Sequence, residues 1–420
     1  MHHWFNFKSY LWSYLIITSR SFPYKLIHDS DELFDSKFNK LNSVILLPII
    51  DLLNHKPKSK IYWNGNIANK QNFKITKLIK DYQNEVCETS GDGNTDLQIY
   101  NNYGPKGNEE LLMGYGFTIR GNEFDTLLLS LNISKLLSDL QNDDSGKLIE
   151  NFNLFLPTLE SYTNSIVDRQ PGNNDGNAAK SELIANPIYI SNINHIIPKG
   201  LLELYCFINR KDKEEHISLN SLLNSINDLR KSLNMKYKNK FSVTNNNDTD
   251  NSINYNEINS NNYKIGQLNL YNLFIKNLKN LEKKLLKIYR KNLIIKKDLV
   301  KKSIEFNEFL NDLEIHDFIS NELYFIIWIL YIVSPPPPAS PESDSFRPDW
   351  IIAKFKEYTK TDTAEYEVHD ITPVLSKYWG HTEFQIANKV LLENSYLKGS
   401  DQEIILIESD IIIQSLEEFL

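Results

Sequence analysis

Apolar positions in the first part of the chain recur at mixed three- and four-residue spacings: Trp4, Phe5, Tyr10, Leu11, Tyr14, Leu15 and Ile17. That pattern predicts a helix over residues 1 to about 30, stopping near SRSFP because Pro23 cannot continue it. Val44 to Ile50 is a short β-branched apolar run that predicts a buried strand. From Ile61 to Glu88 the pattern is mixed, and CETSGDGNTDLQIYNNYG predicts strand, loop, strand. Helical spacing follows in Phe124 to Leu140, Lys147 to Phe155 and Gly200 to Phe207. A long helix is expected over Leu268 to Lys302, with Phe274, Leu278, Leu281, Leu285 and Ile288 on one face. Between these, Phe241 to Tyr263 is Asn-rich and nearly free of core formers, and predicts a disordered insertion. The run LYFIIWILYIV (Leu323 to Val333) is too short for the roughly 20 residues of a membrane span and predicts a buried helix or strand. SPPPPASPESDSFRP (Ser334 to Pro348) predicts a stiff polyproline linker.

Composition narrows the function classes. With 420 residues, 41% of them apolar, the chain can build two or three domains with real cores. The net charge of −8 argues against whole-chain capture of nucleic acid or anionic lipid. The basic run from Lys276 to Lys302 fits a solvated helix surface, because its lysines occupy the positions the apolar stripe leaves. Cys87 and Cys206 are the two cysteines, far apart in sequence, so neither a zinc cluster nor a disulfide framework is expected. Such usage suits cytosol or nucleus. MHHWFNFKSYLWSYLIITSR has neither a basic leader nor a small-residue cleavage site, so it does not predict a signal peptide. His369, Asp370 and His381 match no familiar metal-site spacing. Neither a phosphate-binding Gly-rich loop with Lys-Ser or Lys-Thr nor a Gly-x-Ser-x-Gly elbow is present.

Two stretches remain. One is LLPIIDLLNH (Leu46 to His55). The other is YNNYGPKGNEELLMGYGF (Tyr100 to Phe117), where a glycine-poor chain spends four glycines bracketed by tyrosines. Taken singly, an Asn-His after an apolar run is a polar turn, and a tyrosine in a turn is packing. In this order and about fifty residues apart, with WSYLIITSRSFP upstream, they resemble the SET-domain protein-lysine methyltransferases. The closest branch includes Rubisco large-subunit methyltransferase and the fungal methyltransferases of ribosomal proteins, elongation factor 1-alpha and cytochrome c. The resemblance covers about residues 4 to 130 by motif, and reaches about 330 by helical character alone.

What the resemblance implies is S-adenosylmethionine-dependent methylation of a lysine amine, without metal. In-line methyl transfer needs a neutral amine and a linear approach, so positioning supplies much of the acceleration. A tyrosine hydroxyl can orient the methyl group through weak C–H···O contacts, and an aromatic channel desolvates the amine. Carried over residue by residue, Asn54 and His55 match the cofactor-binding Asn-His, and Tyr103 matches the catalytic tyrosine. Tyr115 matches the later tyrosine lining the lysine channel. Arg20 and Asp51 match an arginine and an aspartate beside the cofactor and substrate pocket. Asn108 looks like a helix cap, with Glu109 and Glu110 at the positive end of a short helix. The family also grips its cofactor with an early Gly-x-Gly strand. Here the Gly-x-Gly triplets, Gly91 to Gly93 and Gly114 to Gly116, both follow Asn54-His55, so the chain is expected to carry only the C-terminal part of a SET domain.

The expected fold class is α+β: a β-rich SET remnant with an inserted helix over 1–125, then a mainly helical substrate-recognition domain over 126–333 containing the insertion 241–263. The linker 334–348 and a small appendage 349–420 follow. The expected substrate is a non-histone protein of the translation machinery, elongation factor 1-alpha or a ribosomal protein, with cytochrome c as the next choice. No membrane contact and no direct nucleic-acid binding are expected, and the expected location is cytoplasmic with a nuclear share. A non-catalytic binding scaffold of the same family remains the alternative.

Overall fold

The computed structural model describes residues 6–23, 44–65, 73–76, 98–132, 187–210, 216–237, 254–316, 318–337, 346–361, 373–399, 402–408 and 411–420. They fall into two compact units, one from 1–127, 192–194 and 243–270, the other from 128–191, 195–242 and 271–420. Helices mixed with small two- and three-stranded sheets make the class α+β.

The first unit opens with α1 (Phe7–Arg20). Asn6 caps it by accepting from the Ser9 amide at 3.0 Å, and Ser21 leaves it in an extended conformation. Antiparallel β1 (Phe22–Pro23) and β2 (Val44–Ile45) follow, then a 3-10 turn at Ile50–Leu52 and the antiparallel hairpin of β3 (Tyr62–Gly65) and β4 (Phe73–Thr76). The expected Val44–Ile50 strand is thus only two residues long, because the chain turns at Leu47–Ile49 to present Asp51. Ile49, an exposed β-branched residue, holds φ at 76° there, a conformation that costs on the order of 1–3 kcal/mol. Then come α2 (Asn108–Tyr115), the start of β5 (Thr126–Ser130), and the N-terminal half of α5 (Tyr255–Ile288).

Three expectations change here. Thr126–Ser130 is a strand with alternating burial, paired with β6 (Ile188–Asn192), where a helix was expected. Leucine-rich runs this short fit either period. The Asn-rich stretch is helical from Tyr255 onward, because Asn259 and Asn262 bond Thr118. The helix expected over Leu268–Lys302 ends at Ile288, and Leu293–Ile295, two of whose three residues are β-branched, forms β7 before α6 (Lys296–Lys302). The rest of the insertion, Cys87, the Gly91–Gly93 triplet, Lys147–Phe155, His369 and Asp370 lie outside the described residues.

The second unit contains α3 (Lys199–Ile208), α4 (Leu219–Tyr237), the C-terminal half of α5, β7, α6, α7 (Ile304–Asp312) and α8 (Asn321–Val333). It closes with α9 (Asp349–Thr361), α10 (His381–Glu393), β8 (Ser395–Lys398) and β9 (Glu403–Ile407). Helix α8 is the apolar run, buried from Tyr324 to Ile332. Its polar tips are satisfied: Tyr324 Oη donates to Asn307 Oδ1 at 2.8 Å and Trp328 Nε1 to Ser303 Oγ at 3.1 Å. The described residues of 349–420 do not stand apart as an appendage. Ile351, Phe384, Val390 and Leu406 share one core with α8, and β9 pairs antiparallel with both β7 and β8. Cys206 is buried in α3, and burial pushes its thiol up to about 12, so it is no nucleophile at neutral pH. Among the described residues no helix is long and apolar enough to cross a membrane, and no group of three His, Cys, Asp or Glu side chains could hold a metal ion.

Candidate active site

The C-terminus of α1, the 3-10 turn and the segment 98–107 converge in the first unit. A parallel bridge joins His55 to Asn101: the Asn101 amide donates to the Asn54 carbonyl at 2.8 Å, and the Lys56 amide to the Asn101 carbonyl at 3.0 Å. That register sets Tyr103 beside His55. The Tyr103 amide donates to His55 Nδ1 at 3.0 Å, and the two rings stack 5.0 Å apart at 18°. Gly104 follows with φ at 97°, which a residue with a side chain rarely adopts, and its amide donates to Asn102 Oδ1 at 2.9 Å.

Because Nδ1 accepts a hydrogen bond, the ring proton of His55 sits on Nε2. That atom is buried and has no hydrogen-bond partner. Burial lowers the His55 pKa; the Asn101 backbone opposes this without satisfying Nε2, and the charge of Lys106 reinforces it. His55 is therefore neutral at pH 7.

Tyr103 Oη donates to the Leu53 carbonyl at 2.6 Å and accepts a long contact from Arg20 Nη1 at 3.4 Å. Burial raises its pKa, Arg20 opposes the shift and Tyr115 adds to it, so the side chain is a neutral phenol around pH 7. It can orient a group through its oxygen but cannot serve as a base there. Arg20 closes α1 and gathers the turn, with Nη1 on the Asp51 carbonyl at 2.8 Å and Nη2 on Asn54 Oδ1 at 3.3 Å.

Tyr115 arrives from the end of α2, where Gly116, with φ at 78°, stops the helix. Its ring lies 5.1 Å from Tyr103 and edge-on to Phe117, which in turn sits 6.3 Å from His55. A cavity of about 360 Å³ is lined by Arg20, Phe22, Asp51, Leu53, Trp63, Asn101, Tyr103, Lys106 and Tyr115 among others. Its size falls at the low end of small-molecule clefts, roughly 300–1,000 Å³.

All six residues singled out in the sequence, Arg20, Asp51, Asn54, His55, Tyr103 and Tyr115, come together here. Asn54 and His55 flank the cavity rather than line it. Phe22, Trp63, Asn101 and Lys106 line it as well and were not singled out. Phe22 and Trp63 meet edge to face at 5.3 Å, and Trp63 Nε1 donates to Asn101 Oδ1 at 3.0 Å. Lys106 pairs with Glu110 and lies 5.6 Å over the Tyr115 ring. Phe22, Asn101 and Lys106 sit inside the quoted motifs, so neighbourhood was the available signal; Trp63 had none.

Asn108 is not the cap expected. Gly107 precedes the helix, and Asn108, fully buried, bonds Ile119 and Asp125 instead.

Comparison with known proteins gives the chain relatives. Residues 173–289 match the family described as the EFM1 middle domain. The chain is 42% identical over 147 residues to ribosomal lysine N-methyltransferase set10 of Schizosaccharomyces pombe, covering 35% of this chain and 23% of that protein. It is 32% identical over 259 residues to ribosomal lysine N-methyltransferase 1 of Saccharomyces cerevisiae, covering 59% of this chain and 38% of that protein. With the protein-lysine N-methyltransferase EFM1 of Saccharomyces cerevisiae it shares 29% over 229 residues, covering 54% and 31%. The chain thus spans less than two-fifths of the length of these curated relatives. Each relative is named a lysine methyltransferase, as the motif resemblance implied, and the middle-domain match supports the same fungal branch.

Proposed function

We propose that this chain carries the tyrosine side of a SET-type active site that transfers a methyl group from S-adenosylmethionine to a lysine of a translation-machinery protein. A ribosomal protein or elongation factor 1-alpha is the first choice of substrate, since two relatives are named for ribosomal substrates. The observation that carries the reading is the ring stack of His55, Tyr103 and Tyr115 beside the cavity, with the Tyr103 hydroxyl tied to the Leu53 carbonyl and Arg20.

The residues fit such a cofactor. Neutral His55 keeps one buried N–H without a partner, and exposed Asn54 stands next to it, a pair suited to ring-nitrogen and hydroxyl acceptors. S-adenosylmethionine, when bound, supplies the methyl group on a positively charged sulfur. The chain's own part is positional. Tyr103 gives its proton to Leu53 and keeps oxygen lone pairs for C–H···O contact, which fixes direction without accepting charge. Tyr115 and Tyr103 flank the cavity as aromatic walls that strip water from a lysine stem. Lys106, on the same cavity wall, is paired with Glu110 and lies over the Tyr115 ring, which fixes that aromatic wall.

The test is transfer of radiolabelled methyl to purified ribosomal proteins and elongation factor 1-alpha by the chain and its Tyr103→Phe variant. The expected result is a loss of about 100-fold or more in rate, on the order of 3 kcal/mol, with the folded state losing no more than about 1 kcal/mol. Undiminished transfer by Tyr103→Phe sinks the mechanism. Intact partner binding without transfer by either protein would favour the scaffold.

A further inference from the structure

We propose that Asn108 is a positioning residue: its carboxamide clasps the two ends of α2 and so holds Tyr115 against Tyr103, while Asp125, backed by Gly266 of α5, holds the carboxamide. The inference rests on the methyltransferase reading for its meaning, but the clasp itself is visible without it.

Helix α2 is only eight residues long, about 12 Å. Asn108 stands at its first position, yet its side chain serves the segment after its last. The Ile119 amide donates to Asn108 Oδ1 at 2.7 Å, and Asn108 Nδ2 donates back to the Ile119 carbonyl at 2.8 Å. Tyr115, Gly116 and Phe117 lie on the stretch closed by this exchange, and their rings are the ones that meet Tyr103 and His55. Asp125 completes the arrangement. Its Oδ2 accepts the second Nδ2 proton at 3.1 Å, and its Oδ1 accepts the Asn108 amide at 2.6 Å, occupying the helix start. Asn108 thus uses every donor it has, in full burial. Aspartate cannot replace it, having no donor for either Ile119 or Asp125.

The support comes from α5. A Cβ at Gly266 would lie 2.1 Å from Asp125 Oδ2, so the helix backbone comes this close only because residue 266 has no side chain. On either side, Gln267 Nε2 donates to the Thr126 carbonyl at 2.8 Å, and Asn259 Oδ1 accepts the Thr118 amide at 2.9 Å. The Asn-rich helix therefore brackets the clasp at both ends. Arg20, Leu53 and His55, which hold Tyr103, make none of these bonds.

That separation gives the test. Gly266→Ala and Asn108→Asp are made in the full chain, and three readouts are taken. Amide exchange at Ile119 should quicken by about tenfold or more in both, which shows the clasp open. In methyl transfer, kcat should fall about tenfold while KM for S-adenosylmethionine stays within about twofold, because only Tyr115 has moved. A merely structural role would lower both proteins' stability and leave kcat per folded molecule unchanged; that result overturns the proposal. If the wild-type chain transfers no methyl to any substrate, the functional reading fails and the third readout decides the clasp. The Tyr103 and Tyr115 rings lie 5.1 Å apart, so ring-to-ring NOEs between them, followed by NMR with labelled tyrosine, should weaken in both variants. Unchanged NOEs sink the clasp on their own. Should Asn108→Asp fail to fold, Gly266→Ala decides alone, since it disturbs only the carboxylate contact.

Discussion

Tyrosines do opposite work in the two units. In α8, Tyr324 is fully buried, burial pushes its pKa up to about 12, and its hydroxyl is spent on Asn307 inside a wall of isoleucine, tryptophan and phenylalanine. In the first unit Tyr103 has a raised pKa for the same first reason, but its neighbours are a guanidinium, a backbone carbonyl and a cavity. One hydroxyl completes a core and the other borders open space. Two tyrosines with pKa shifts of the same sign are thus told apart by what faces the oxygen, not by burial.

The largest way to break the comparison is Trp328→Ala. Trp328 is fully buried in α8, stacks with Phe346 and bonds Ser303, so truncation leaves a cavity and an orphaned hydroxyl. A loss of about 3–5 kcal/mol is expected in urea unfolding, against about 1 kcal/mol or less for Tyr103→Phe, whose Leu53 carbonyl keeps its Arg20 contact. Equal losses would mean that Tyr103 belongs to a core after all.

Next comes Tyr324→Phe, the counterpart of Tyr103→Phe. Removing the α8 hydroxyl leaves Asn307 Oδ1 without its donor, at a cost of about 1–2 kcal/mol in thermal stability and no change in methyl transfer per folded molecule. The same one-atom deletion should therefore act mainly on a melting curve in one unit and mainly on a rate in the other.

How much of this contrast the sequence carries depends on the reach of each contact. That Arg20, Asn54, His55, Tyr103 and Tyr115 would come together was legible because the motifs holding them are short and come in a fixed order. Trp63 was not, because its role comes from an Asn101 bond across 38 positions and a Phe22 ring far upstream. The Asn-rich stretch looked disordered because composition cannot show that Asn259 has Thr118 waiting for it. Strand β5 reads as helix in the sequence because the five residues of Thr126–Ser130 carry too few repeats to separate the two periods. Helix α8 was legible as buried because thirteen residues hold only one charge, Glu322. Local pattern reports burial and motif order; it is silent about partners dozens of residues away.

The smallest expected effect concerns His55, whose lowered pKa separates it from an ordinary surface histidine. The folded protein resists protonation at this ring more than the unfolded chain does. Between its lowered native value and the usual 6.5, the unfolded state therefore binds more protons. Stability should rise with pH through that window and level off above about 6.5, where His55 is neutral in both states. Acidification from neutrality runs the same curve backwards. Urea unfolding of the wild type and of His55→Gln across this range isolates the effect, since the variant removes the titrating group and should flatten the slope. Tyr324→Phe leaves the His55 ring and its Tyr103 and Asn101 partners in place, so it should keep the slope that His55→Gln removes. A slope that survived in His55→Gln would place the acid sensitivity elsewhere, and would take away the argument that this ring enters the site neutral with its proton on Nε2.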